Sequence, residues 1–254
     1  MTLRGPIALV LLLGAAGLAQ GETAQPALTV FAAADLQMAF GEIKPLFEKA
    51  AGARVTLVMG STGNLAKQIE HGAPADVFFA ADESFIDGLK AAGAIIPETR
   101  AFYAQGRIVL AFPRKSPIAV RGLQDLLKPE VRRIAIANPA HAPYGRAAQE
   151  ALERAGMWEG LKPKLVYGEN IRHALQFIEA GAVEAGIVAL SVVGVPGIAH
   201  VPVDPKLYTP LNQVAAVVKR STRPDLAAGF IQFVNGPEGR PIMKRYGFLL
   251  PGDF

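Results

Sequence analysis

Apolar residues along this chain come in short runs that alternate with amphipathic stretches of helical period. Leu28 to Ala33 and Val55 to Met59 are compact apolar runs, as expected of strands buried on both faces. Each ends in small or polar residues before a helical stripe begins. Leu36, Phe40, Ile43 and Phe47 recur at helical spacing as far as Ala50, with Gly52 as the stop. Leu65 and Ile69 share one face of a shorter helix from Asn64 to Glu70. Asp76 to Ala80 is a third strand, and a helix follows to Ala92. Three β-α units in such close succession predict a parallel, doubly wound lobe.

Arg107 to Phe112 is a further strand, stopped by Pro113, after which the rhythm restarts. A short helix (Leu123 to Leu127), a strand (Arg133 to Ala137), a helix closed by Gly156 (Ala147 to Ala155) and a strand (Leu165 to Tyr167) follow in order. A helix closed by Gly181 (Ile171 to Ala180) and a strand (Ala185 to Leu190) complete a second α/β lobe. Gln213 to Lys219 mirrors Arg107 to Phe112 in length and composition, so these two are expected to be the crossing strands between lobes. A helix over Asp225 to Val234 and the tail to Phe254 then return to the first lobe. The expected division is 26–106 with 213–254 for the first lobe and 107–212 for the second. The fold class is α/β, each lobe a mostly parallel sheet flanked by helices.

Composition adds a leader and removes several function classes. Met1 to Gly21 has a positive start at Arg4, an apolar core from Ile7 to Leu18 and small residues suited to cleavage, the pattern of a secretory signal peptide. The remaining chain is long enough to bury a full core: 254 residues in all, 51% of them hydrophobic. Cysteine is absent, so an exported chain must rely on burial rather than disulfides. A net charge of +4 with 19% charged residues and no dense basic run excludes a nucleic-acid face. His71, His141, His173 and His200 have no metal-ligand spacing, and no metal or cofactor is expected. No G-x-S-x-G elbow and no P-loop occur, which argues against an enzyme.

The candidate chemistry lies in four strand-to-helix turns. Ala33-Ala34-Asp35 and Gly60-Ser61-Thr62-Gly63-Asn64 belong to the first lobe, and Asn138 to Arg146 and Gly168-Glu169-Asn170-Ile171 to the second. Such turns gather backbone N–H groups at helix starts, here beside the hydroxyls of Ser61, Thr62 and Tyr144, with no obligatory lysine or arginine. That donor set suits an oxyanion. Ser61 and Thr62 also fit the plainer role of helix caps.

TVFAAADL, GSTGNLAKQI, GAPADVFFAAD, IANPAHAPYGRAA, GENIRHALQF and KRYGF, in this order and at these intervals, resemble the periplasmic molybdate-binding proteins of ABC importers. The resemblance spans Leu28 to Phe248. It implies a type II, two-lobed periplasmic binding protein that takes molybdate or tungstate from its cleft to an inner-membrane ABC permease, as a periplasmic monomer. Carried over by position, it implies oxyanion contacts at Ala34 and Asp35, at Thr62 with Ser61 beside it, at Tyr144, and at the backbone N–H of Ile171. A tyrosine found in some members is Ala189 here, so Tyr144 would take its place. Asp35 departs from the family's serine or asparagine. It is expected to cap its own helix by accepting from the N–H of Gln37 or Met38. The alternative is that it selects a protonated oxyanion such as hydrogen phosphate.

Overall fold

The computed structural model describes residues 25–254; the expected signal peptide lies outside the described residues. In chain order the strands are β1 (Ala27–Ala33), β2 (Arg54–Gly60), β3 (Val77–Ala80), β4 (Ala101–Gly106), β5 (Ile108–Pro113), β6 (Ile134–Ala137), β7 (Leu165–Gly168), β8 (Ala185–Ala189), β9 (Ile198–Pro202) and β10 (Leu211–Val217). The helices are α1 (Gln37–Ala51), α2 (Thr62–Glu70), α3 (Glu83–Ala91), α4 (Pro143–Arg154), α5 (Trp158–Leu161), α6 (Ile171–Glu179), α7 (Pro224–Val234) and α8 (Gly239–Arg245).

Two five-stranded sheets result. The first has the order β2-β1-β3-β10-β4 and the second β7-β6-β8-β5-β9. Around β1 and β6 the pairing is parallel, whereas β10 and β5 run antiparallel to both of their neighbours. Each sheet thus carries one reversed strand, in the fourth position of its order. The expected two-lobed α/β architecture, mostly parallel and flanked by helices, is the one observed.

The period-2 alternation of strands decides which helices cover which face. In the first sheet Val30 and Phe79 join Phe40 and Ile43 of α1 and Phe230 of α7. The intervening Phe31 and Phe78 face the other way, onto Leu65 and Ile69 of α2 and Ile86 and Leu89 of α3. The first of these layers is an aromatic cluster. Phe230 meets Phe47 edge-on at 4.9 Å, Phe40 at 5.5 Å and Phe79 at 5.6 Å between ring centroids. In the second lobe Ala148 and Leu152 of α4 and Leu175 and Ile178 of α6 close on the sheet from β5 to β8.

The expected crossing strands are displaced. β5 lies wholly in the second sheet and β10 wholly in the first, and the passages between lobes are the single residue Arg107 and the segment 203–210. The reason is β4, a strand that pattern reading passed over because its sequence, AFYAQG, mixes buried and exposed positions. It ends at Gly106, leaving one residue before β5. α4 also starts four residues earlier than its apolar stripe, because Pro143 occupies the first helical position, where its fixed φ suits the helix and its missing N–H costs nothing. Among the described residues no helix is long and apolar enough to cross a membrane.

Phe230→Ala should remove the hub of the aromatic layer and lower the unfolding free energy by about 3–5 kcal/mol. Urea unfolding measures it; a loss of less than about 1 kcal/mol would show that the layer does not depend on this ring.

Candidate functional site

Residues from the turns that follow β1, β2, β3, β6 and β7 converge on one small pocket between the lobes. The first lobe supplies Ala34, Asp35 and Thr62, and the second supplies Pro143, Tyr144 and Ile171. With a volume of about 10 Å³ the pocket has room for little more than a water-sized group as it stands, far below the usual 300–1,000 Å³ of an organic-ligand site. No lysine or arginine lines it.

Local capping determines which donors are left for the pocket. At the start of α6 the Asn170 side-chain oxygen accepts from the N–H groups of Arg172 and His173, each at 3.0 Å, and the Asn170 carbonyl accepts from Ala174 at 3.0 Å. The Ile171 N–H therefore remains without an acceptor among the described residues. At the start of α2 the Gly63 N–H donates to the His141 carbonyl at 2.9 Å, across the cleft. The Thr62 N–H has no acceptor among the described residues, and the Thr62 hydroxyl oxygen accepts the Ala81 N–H at 3.2 Å, so its own proton is free to donate. Two helix starts and one hydroxyl, from both lobes, thus offer hydrogen-bond donors to one small volume.

Asp35 forms the floor of this arrangement. It is 1% exposed. Its Oδ2 accepts from the Tyr144 hydroxyl at 2.9 Å and from Gln213 Nε2 at 2.7 Å, and Gln213 Nε2 lies 2.9 Å from the Tyr144 oxygen. Its Oδ1 is buried and has no partner among the described residues. The Ser191 hydroxyl, from the second lobe, donates to the Asp35 carbonyl at 2.9 Å. A Cβ at Gly106 would lie 2.2 Å from the Tyr144 hydroxyl, so this network fits only against a bare glycine at the end of β4. Burial raises the Asp35 carboxyl from its ordinary 3.8 to about 6, against the lowering pull of the Gln213 and Tyr144 hydrogen bonds. Burial also lifts the Tyr144 hydroxyl well above its ordinary value, and the neighbouring Asp35 charge adds to the rise.

The family described as bacterial extracellular solute-binding protein matches residues 28–249. The molybdate-binding protein ModA of Azotobacter vinelandii is 35% identical over 248 residues, 95% of this chain and 97% of that protein. ModA of Escherichia coli is 34% identical over 233 residues, covering 88% of this chain and 89% of that one. The solved structure of the Azotobacter vinelandii periplasmic molybdate-binding protein superposes with a TM-score of 0.83 at 31% identity, over 88% of this chain and 99% of that chain. The chain belongs to the ModA family of bacterial extracellular solute-binding proteins.

In this ModA-family chain the structure brings five of the six residues singled out from sequence, Ala34, Asp35, Thr62, Tyr144 and Ile171, to one pocket. Ser61 is elsewhere: its hydroxyl is bound to His141 Nδ1 at 2.9 Å, a contact between lobes beside the pocket. The expected cap at Asp35 is not formed. Ala34–Leu36 is a single 3₁₀ turn whose N-cap is Ala33, without a side-chain cap bond, and Asp35 sits inside that turn. From there its carboxylate turns inward to Tyr144 and Gln213 instead of reaching the N–H of Gln37 or Met38. Gln213 and Ser191 were not singled out from sequence. The signal for Gln213 was available: one amide among the apolar residues of β10, 0% exposed, must find polar partners. Among the described residues no cluster of histidine, aspartate or glutamate could hold a metal ion.

Because burial raises the Asp35 pKa, the folded protein holds this proton more tightly than the unfolded chain. The associated stability is complete below about pH 4 and is lost as pH rises through about 6, a cost of about 3 kcal/mol at neutral pH. Asp35→Asn removes that cost, so the variant should exceed its parent by up to about 3 kcal/mol at pH 8 and lose the advantage as pH falls towards 4. Urea unfolding at both ends of the range measures the difference, and an equal gap at both would show that the carboxyl charge is not what burial penalises.

Proposed function

We propose that this chain is a periplasmic receptor that closes its two lobes, 26–106 with 211–254 and 108–202, on a molybdate anion and delivers it to an inner-membrane ABC permease. Tungstate, of nearly equal size, is expected to compete. As a receptor, and a monomer, it returns its ligand chemically unchanged. The observation that carries the reading is the convergence of donors from both lobes on one small pocket lined by no lysine or arginine, in a member of the ModA family. Thr62, Tyr144 and the Ile171 N–H are the donors we assign to the anion, with Ala34 and Asp35 forming the adjoining wall and Ser61 acting through His141.

Neutral donors held by helix starts stabilise an anion without a mobile counter-cation, and closure of the lobes around it raises their strength by excluding water. Selection against sulfate follows from size, since similar donors suit either anion and only the longer metal–oxygen bonds span the larger cavity. Closure is a population shift, because the donors of both lobes reach the anion together only in the closed form. The molybdate named for the relatives does not favour hydrogen phosphate as the ligand.

Calorimetric titration of the mature, ligand-stripped protein should show one-to-one binding of molybdate, with sulfate and phosphate silent. Thr62→Ala should weaken molybdate by about 10- to 100-fold, the effect of one hydrogen bond to a charged group. Binding of sulfate or phosphate in place of molybdate would overturn the assignment.

A further inference from the structure

The Tyr144 hydroxyl has one proton, and the geometry commits it to Asp35. With the carboxylate ionised, Oδ2 takes that proton and a Gln213 N–H, at 2.9 and 2.7 Å. What these two pocket-lining residues then offer is acceptor on acceptor: a Tyr144 oxygen that already accepts from Gln213 Nε2 at 2.9 Å, and a buried carboxylate oxygen, Oδ1, with no partner among the described residues. An anion entering such a wall would find repulsion where a donor is needed.

No fixed cation relieves this. Tyr103 of β4 faces Asp35 as a neutral phenol and gives its proton to the Ala80 carbonyl at 3.1 Å. Arg172 and His173 of α6 lie on the outer side, around Ala34 and Gln37. Arg172 is paired with Glu179 at 3.1 Å, and the His173 ring accepts the Glu169 N–H at 3.2 Å. Arg146 is held by Asp82 at 2.7 Å, and His141 lies between Ser61 and Glu169. None of these groups is a hydrogen-bond or salt-bridge partner of the Asp35 carboxyl.

We propose that anion capture here takes up one proton: Asp35 becomes neutral, donates through Oδ2 to the Tyr144 oxygen, and so turns the Tyr144 O–H onto the bound anion. The inference rests on the receptor reading above. The proton comes from solvent, the anion stays a dianion, and the bound complex gains one positive charge at Asp35 relative to the ionised site. Asp35 is in this scheme a positioning residue that acts through Tyr144. One proton reverses one hydrogen bond, removes the buried negative charge and frees the Tyr144 O–H to donate.

The test is a molybdate titration of the full mature protein, in buffers of unlike ionisation heat, from about pH 6.5 to about pH 9. Above the Asp35 pKa the parent should take up close to one proton per anion, and its Kd should rise about tenfold per pH unit. Asp35→Asn, which preserves shape, should bind with no proton uptake and a flat Kd over the same range. Tyr144→Phe, which loses the redirected O–H, should bind more weakly than the parent at every pH in the range. A parent protein that binds molybdate with a pH-independent Kd and no proton uptake would overturn the inference and leave the receptor reading standing; so would an Asn variant that keeps the parent's uptake. Silence towards molybdate at every pH would overturn the receptor reading, and this inference with it.

Discussion

An anion can be held without a cation only where N–H and O–H donors converge and water is kept out, and that requirement governs the whole molecule. No single helix start presents enough donors: at α6 the Asn170 side chain takes the N–H groups of Arg172 and His173, and at α2 the His141 carbonyl takes that of Gly63. The solution is to bring several starts together. Each sheet aims its strand ends at the other sheet, and each turn gives up only what its own cap leaves over. The two lobes then meet by main chain as well as side chain, as the Gly63 N–H on the His141 carbonyl illustrates. Even the glycine at the end of β4 serves the convergence, since nothing larger fits beside Tyr144.

How much of this was legible in the sequence follows from the range of each interaction. The strands β1, β2 and β3 and their helices were legible because alternation and helical period are local, and the two-lobed plan followed from their recurrence. β9 and α8 were not. β9 is a five-residue strand at the edge of its sheet, and α8 is a seven-residue helix with Pro241 inside it and charges at its end, so neither carries a full period of apolar positions. The pocket turns were legible as strand-to-helix junctions, and the family motifs pointed to the same residues.

The side-chain roles were not, and the distances along the chain explain it. Asp35 reads as a cap when only its neighbours are considered, yet its partners stand 109 and 178 residues away. Ser61 reads as an oxyanion contact until His141, 80 residues on, claims its hydroxyl. A local rule names what a polar group can do; which of its options is realised depends on groups that only the folded topology brings near.

The position of β10 has a consequence for how this chain can be made. Residues 211–217 form the strand between β3 and β4, and β4 pairs with no other strand of its sheet, so the lobe that begins at residue 27 cannot be completed until most of the chain is available. The aromatic layer under that sheet likewise waits for Phe230. A nascent N-terminal half therefore has an open sheet and an unfilled core, which keeps it from locking into a compact body ahead of time. For the exported receptor proposed above, which would cross a membrane before folding, the late arrival of the strand between β3 and β4 would act as a built-in delay.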